Sequence, residues 1–545
     1  MEKRNCFQDY YLGLDIGTNS VGYAVTDLEY KLLKYKGEPM WGSHVFEEGQ
    51  QASERRGFRT SRRRTNRRNQ RVKLISDIFA AEIKKQDENF FIRRKESALF
   101  REDTQDNARY IVFNEEEFTD QDYYQKYPTI HHLIQELMRD DAPHDVRLVY
   151  LACAYLVAHR GHFLNEVNKD NVSDVLDFNN VYQSFIQCYQ ELYGTMPWEC
   201  DADQFKGIMQ QKSLITKKEK AFLELLNGGR KYKIEEDEID RNGLIKLLSG
   251  GSLELGKLFP KKEFEEKVSC SFQKGEEEFL LVLGNLDEEG ELLVKARNLF
   301  DWAALADALQ GGTCISDGKV EIYEQHKKDL KYLKNFIRKY RPEKYYEIFR
   351  SGNEKANYVA YSYYTKSVKG EVDYKLNKAT KEEFSDYIWK KVKNIDVEKT
   401  EYEDMCQRLQ LYSFLPKQVD GNNRVIPYQL YYYELAQILQ NAKKYLPFLS
   451  EVDEEGYSNE DKILSVMEFR VPYFVGPLRK DNGEHAWIER KAQGKIYPWN
   501  FKEKVDLDKS EQRFIDRMTN QCTYIPGETV LPKYSLLYSK YSVLN

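Results

Sequence analysis

Two groups of residues in this 545-residue sequence have the types and spacing to do chemistry. The first is Asp15, set among small residues in the run LGLDIGTNSVGYAV from Leu12 to Val25. In an extended strand Leu12, Leu14 and Ile16 share one face, and Gly13 and Asp15 share the other. Gly22 and Ala24 fall on one face of a second strand. If that face coincides with the Asp15 face, small residues leave room around the carboxylate for a metal ion and a phosphate. Hard divalent ions such as Mg²⁺ take carboxylate oxygens and keep positions open for water and phosphate. In nucleases such ions activate a water and stabilise the leaving oxygen. A lone carboxylate is not a site, however, and an Asp before a turn also commonly hydrogen-bonds that turn.

The second group is a block of arginines. Arg55, Arg59, Arg63, Arg67 and Arg71 follow i, i+4 spacing, with Arg56, Arg64 and Arg68 in a parallel row. On a helix each row drifts about 40° per step, so basic groups sweep a broad face over ~24 Å, enough to follow several phosphates. Like charges at this spacing cost a few tenths of a kcal/mol each, and Gly57 adds ~1 kcal/mol against the helix. Packing or an anionic partner must offset that cost. Arg suits a phosphate partner because its planar fork binds bidentately. A solvated charged face is the other reading, but it needs interspersed acids, and none lies between Arg55 and Arg71.

The elements that must position these groups can be read from periodicity. Two strands flank the turn residues 17–20, and a third strand is expected around Lys31 to Tyr35. A helix starting near Ser53 runs through the arginines. From Val72 it becomes amphipathic, with Leu74, Ile75, Ile78, Phe79 and Ile83 as one apolar stripe. After about residue 87 the pattern is helical. Asp145 is the expected N-cap of a helix ending near Arg160, with Gly161 at the left-handed position beyond it. Further helices are expected at 217–226, 321–338, 382–392 and 429–442. The pairs His131-His132 and His159/His162 are assigned no metal and are expected at the surface, as caps or as phosphate contacts. Tyr431 to Tyr433 reads as core and rim of a helix, and Val471 to Pro477 as an extended segment.

The bulk numbers set limits. The length suggests roughly three or four domains. A charged fraction of 32% against 41% hydrophobic marks a soluble globular chain. No signal-peptide pattern follows Met1, and no apolar stretch reaches the ~20 residues of a membrane span. The eight Cys are scattered, with no metal-ligand or disulfide spacing, which points to reduced thiols. The net charge of −6 hides a segregation. Nine Arg and one Lys against Glu54 give residues 53–73 a charge of +9, so the remainder carries −15. Such clustering is the footprint of a nucleic-acid binder.

Together these features resemble the type II CRISPR-associated, RNA-guided endonucleases (Cas nine). LGLDIGTNSVGYAV resembles the family's first RuvC-like nuclease motif, and RTSRRRTNRRNQRV its arginine-rich bridge helix. KYPTIHHL and RLVYLACAYLVAHRGHFL are similar to early recognition-lobe helices. VIPYQLYYYELAQIL, FRVPYFVGPL, YPWNF, FIDRMTN and VLPKYSLLY resemble its later part. The stretch from about 170 to 310 matches less well.

The resemblance implies a mostly α fold, a helical recognition lobe, with a small N-terminal β-rich piece of an RNase-H-like RuvC domain. The implied divisions are 1–51 RuvC-like segment, 52–86 bridge helix, 87–170 first recognition-lobe part, 171–310 variable helical insert and 311–545 later part. It makes Asp15 a catalytic, metal-binding carboxylate for Mg²⁺, with Mn²⁺ as a substitute. Arg56, Arg59, Arg63, Arg67, Arg71, Arg160 and His162 become guide-RNA contacts. Arg470, Tyr473 and Asn520 become contacts to the guide–target heteroduplex. The implied partners are a crRNA paired with a tracrRNA, and target DNA. The setting is a bacterial cytoplasm and antiviral defence, with no membrane and a monomer on its RNA. The family's other RuvC carboxylates and His, its HNH domain and its PAM-reading domain are expected beyond Asn545, so this chain alone is expected not to cleave. The Asp-x-Gly-Thr string at Asp15–Thr18 also opens the phosphate hairpin of actin-like and sugar-kinase ATPases. That alternative demands further strands and a second phosphate loop.

Overall fold

The computed structural model describes residues 9–17, 19–47, 52–97, 112–163, 177–211, 214–233, 239–264, 267–312, 314–362, 379–393, 395, 399–411, 413–416, 426–470 and 489–512. The chain divides into two compact units, Met1–Gln70 and Arg71–Asn545.

In the first unit the strands β1 (Tyr11–Ile16), β2 (Ser20–Thr26), β3 (Lys34–Tyr35), β4 (Glu38–Pro39) and β5 (Trp41–Val45) follow in order. The main sheet is antiparallel, ordered β1-β2-β5. Gly17 N–H donates to Ser20 C=O at 2.8 Å and closes the first turn. A strand does form within the expected segment around Lys31–Tyr35, while β5 completes the main sheet. That strand is the two-residue β3, which pairs with β4. It is short because the backbone turns: Lys36 and Gly37 both have positive φ, 52° and 90°, and send the chain back at once.

The second unit is mostly helical with small sheets. α1 (Ala52–Gln86) crosses the division between the units. It is followed, among others, by α2 (Phe90–Glu96), α3 (Ile130–Arg139), α4 (Val146–Ala158), α5 (Phe178–Tyr193) and α6 (Glu276–Leu283). Then come α7 (Glu289–Leu309), α8 (Ile315–Tyr340), α9 (Lys381–Val392), α10 (Tyr428–Ala442) and α11 (Asn459–Glu468). The first core takes Ile75, Phe79 and Ile83 from α1, Tyr150 from α4, Leu435 from α10 and Val466 from α11. The stripe expected after Val72 is thus an inward face. A second core gathers residues between Phe178 and Trp302, and a third residues between Leu333 and Leu415. Two long helices span these cores. α7 gives Leu292 and Leu299 to the second and Leu305 and Leu309 to the first. α8 gives Ile315 to the first and Leu333 and Ile337 to the third.

The Asp145 carboxylate accepts from Arg147 N–H at 2.7 Å and caps α4 as expected. The helix ends at Ala158, near the expected Arg160, and the His159 N–H at its C-cap is shared between the Tyr155 and Leu156 carbonyls at 3.0 and 3.2 Å. Gly161, with φ of 74°, then turns the chain toward 426–428. The 431–433 tyrosines divide as expected, with Tyr431 buried at 1% exposure and Tyr432 packed at the rim of the first core.

Candidate nucleic-acid interface

The β1–β2 register sets Asp15 opposite Gly22 and Gly13 opposite Ala24. On the next strand Ser43 lies opposite Gly22 and Trp41 opposite Ala24. Residues directly opposite share a face, so Asp15, Gly22 and Ser43 form one row beside Gly13, Ala24 and Trp41. The coincidence of faces required by the sequence argument is therefore met. A Cβ at Gly22 would stand 3.5 Å from the Asp15 Cβ, so the glycine clears space beside the carboxylate. Every residue of β1 is exposed. Among the described residues no group of three or more His, Cys, Asp or Glu side chains is placed to hold a metal ion. One carboxylate on an open sheet face fits a contribution to a metal site, but not a whole one.

The arginine block lies on a continuous helix, as the spacing requires. Arg59, Arg63, Arg67 and Arg71 are half-buried, while Arg62, Arg64 and Arg68 are exposed. Arg62, Arg63 and Arg68 make no ion pair among the described residues, which leaves their charge available to an external anion. Arg71 Nε donates to the Val157 carbonyl at 3.1 Å, tying α1 to the end of α4. Arg56 lies on α1, with its side chain outside the described ones.

The second cluster surrounds Phe163. Its ring stacks on Tyr428, with centroids 4.1 Å apart and planes at 14°. The Arg160 guanidinium lies over the Phe163 ring at 4.6 Å and that of Arg470 at 5.9 Å. Arg160 Nη1 also donates to the carbonyls of Met467 and Phe469, at 2.9 and 2.5 Å, at the end of α11. His162 is 5% exposed. Its N–H donates to the Ile426 carbonyl and its carbonyl accepts from Tyr428 N–H, both at 3.0 Å. The 160–163 segment is thus a tie between α4, α10 and α11 that brings two guanidiniums to one ring. Arg470 is partly exposed and forms an ion pair with Glu276 at 3.3 Å. Tyr473 and Asn520 lie outside the described residues, as does 471–477. Phe163, Tyr428 and Glu276 escaped the sequence reading. The first two sit inside quoted motifs, but nothing in sequence marks Glu276 as a neighbour of Arg470.

His131 differs from expectation, whereas His132 bonds the N-cap residue of its helix. His131 faces inward: Nδ1 lies 3.0 Å from Ser316 Oγ and Nε2 3.2 Å from Tyr155 Oη. Burial, helped by Lys319, pushes its imidazole down to about 3. Ser316 in turn donates from N and Oγ to the two oxygens of Glu434, at 2.7 and 2.9 Å. Burial raises that carboxyl to about 7. His132 is held by Thr129 Oγ1 at 2.8 Å from its Nδ1. His131 is a packing residue in an interhelix network, because α3 turns it toward α4 and α8 rather than to solvent.

A sequence model of the REC lobe of CRISPR-associated endonuclease Cas9 matches residues 178–545. One of the bridge helix of the same endonuclease matches residues 55–87. The chain is similar to the CRISPR-associated endonuclease Cas9 of Listeria innocua serovar 6a, 37% identical over 566 residues, covering 98% of this chain and 39% of that relative. The protein of the same name from Streptococcus mutans serotype c is 34% identical over 561 residues, covering 98% and 38%. The chain spans about two fifths of the length of these curated relatives.

Proposed function

This chain belongs to the Cas9 family of CRISPR-associated endonucleases, and from that premise we propose that it grips a guide RNA, and the guide–target heteroduplex, through α1 and the Phe163 cluster. The observation that carries this reading is the acid-free basic face of α1, whose Arg62, Arg63 and Arg68 have no ion-pair partner among the described residues. In effectors of this kind base pairing reads sequence, and the protein holds an A-form duplex by its backbone. Arg59, Arg63, Arg67 and Arg71, with Arg56, are assigned to guide phosphates. Arg160 and His162 are likewise assigned to guide RNA. Arg470, and with it Tyr473 and Asn520, are assigned to the heteroduplex.

The divisions proposed are a RuvC-like segment over 1–51, a bridge helix over 52–86 and recognition-lobe parts over 87–170, 171–310 and 311–545. Asp15 is assigned one place at a Mg²⁺ or Mn²⁺ site of a RuvC-like sheet. Such an ion would activate water for phosphodiester hydrolysis when bound. The described residues bring no second carboxylate to that face, and we derive no cleavage step from them. We expect this chain alone to leave DNA intact while binding crRNA with tracrRNA as a monomer in the bacterial cytoplasm, in antiviral defence. Among the described residues no helix is long and apolar enough to cross a membrane. The ATPase alternative loses support, because the chain passes from the three-stranded sheet into a helix that matches the bridge-helix model.

The test is binding of a matched crRNA–tracrRNA scaffold across a salt series, for the parent chain and for R63A/R67A. Tight, salt-steep binding that the double change weakens without loss of helicity is expected. Binding untouched by the change in a folded protein would overturn the assignment.

A further inference from the structure

We infer that Glu276 is an intramolecular stand-in for a nucleic-acid phosphate, holding Arg470 until a heteroduplex displaces it. The inference rests on the assignment of Arg470 to the heteroduplex. Its premise is the meeting of two guanidiniums, Arg160 and Arg470, on the single ring of Phe163. Two like charges gathered on one ring favour an anion, and the described residues supply one in the carboxylate of Glu276, 3.3 Å from Arg470 Nη2.

Three features make this contact a releasable latch rather than a fixed brace. The Glu276 oxygen facing Arg470 is occluded from solvent yet makes no hydrogen bond, so the contact is a charge pair without an aligned donor. The Arg470 side chain is 44% exposed, so an incoming phosphate can reach it. Glu276 also occupies the first position of α6, where a helix N-terminus stabilises a carboxylate after its partner leaves. Arg160 differs: it is fastened to two backbone carbonyls and keeps its place whichever anion Arg470 holds.

The latch also joins parts of the fold. α6 packs in the second core through Phe279, Leu280 and Leu283. Arg470 follows α11, which packs in the first. Capture of Arg470 by a phosphate would therefore release one tie between the two cores, leaving α7 as a continuous connection.

The experiment is a double-mutant cycle on the full chain, reading affinity for a short fluorescent RNA–DNA heteroduplex at about 0.1 M salt, where exposed charges beyond ~10 Å are screened. E276Q keeps the side-chain shape and removes the charge. An ion pair with one partner this exposed, and with no aligned donor, is weak, so the expected gain in affinity is about two- to fivefold. R470A should weaken binding, and E276Q added to R470A should change nothing further. An equal gain from E276Q with and without Arg470 would make Glu276 a general repulsive charge and overturn the latch. So would an inert E276Q in a chain that R470A weakens. If R470A binds as tightly as the parent, the heteroduplex assignment of Arg470 fails, and the latch with it. Circular dichroism of each variant identifies any that fails to fold, and for such a variant E276A and R470Q replace the pair and are read by the same criteria.

Discussion

Gly161 shows how much a single position decides. Its φ is 74°, and a Cβ there would stand 2.3 Å from the Ile426 carbonyl oxygen, which belongs to the segment it ties. Backbone cannot yield as a flexible side chain can, so we expect G161A to cost about 2 kcal/mol or more. A fall of several degrees in the thermal midpoint and weaker RNA binding should accompany it; an unchanged midpoint would show that the tie is soft. Asp15 behaves oppositely. It is exposed on an open sheet face, and a negative carboxylate does not grip an anionic RNA backbone. D15A is expected to leave guide affinity within about twofold of the parent. An affinity loss in folded D15A would remove its assignment to a metal.

At the scale of elements, α1 joins two kinds of helix in one rod. Its first half is basic and its second half inserts Ile75, Phe79 and Ile83 into the first core. The unfavourable arginine half is carried by the well-packed half, so R63A/R67A should retain helicity and lose affinity. The meeting of α3, α4, α8 and α10 has a different character, because it buries Glu434 against Ser316 and His131. An unfolded Glu titrates near 4.3, and in the fold the carboxyl is raised to about 7 by burial. The protonated form is the one the fold favours. Its contribution is fully present below the unfolded value and is lost as pH rises through about 7. His131 acts in the reverse sense: lowered to about 3, it supports the fold above pH 6.5 and is lost on acidification. The two overlap between about pH 4.5 and 6.5, and a difference measurement separates them. E434Q imitates the protonated acid, since its amide can accept from Ser316 N–H and donate to Ser316 Oγ. The parent should lose stability relative to E434Q between about pH 4.5 and 7, by of order 2–3 kcal/mol. Parallel pH profiles of thermal midpoints would refute this.

For the whole molecule, net charge is a poor guide to partner. The chain carries −6, yet residues 53–73 carry +9. If α1 meets several phosphates, log affinity should fall linearly with log salt. A loss of ~10³ or more is expected between 50 and 200 mM, and R63A/R67A should lower that slope by about two. A flat salt profile would show that the basic face is not what binds.

What the sequence by itself determined was local. The strands about Asp15, the arginine helix, the stripe after Val72 and the Asp145 cap all follow from periodicity, turn chemistry and capping, which act between near neighbours in the chain. The long quoted motifs carried the family likewise. Only the tertiary structure decided which distant segments meet. It brought 426–428 against 160–163, turned His131 inward, completed the main sheet with β5, and set Glu276 on Arg470. These outcomes depend on which buried surfaces and charges find one another across hundreds of residues, and no spacing rule along the chain encodes such pairings.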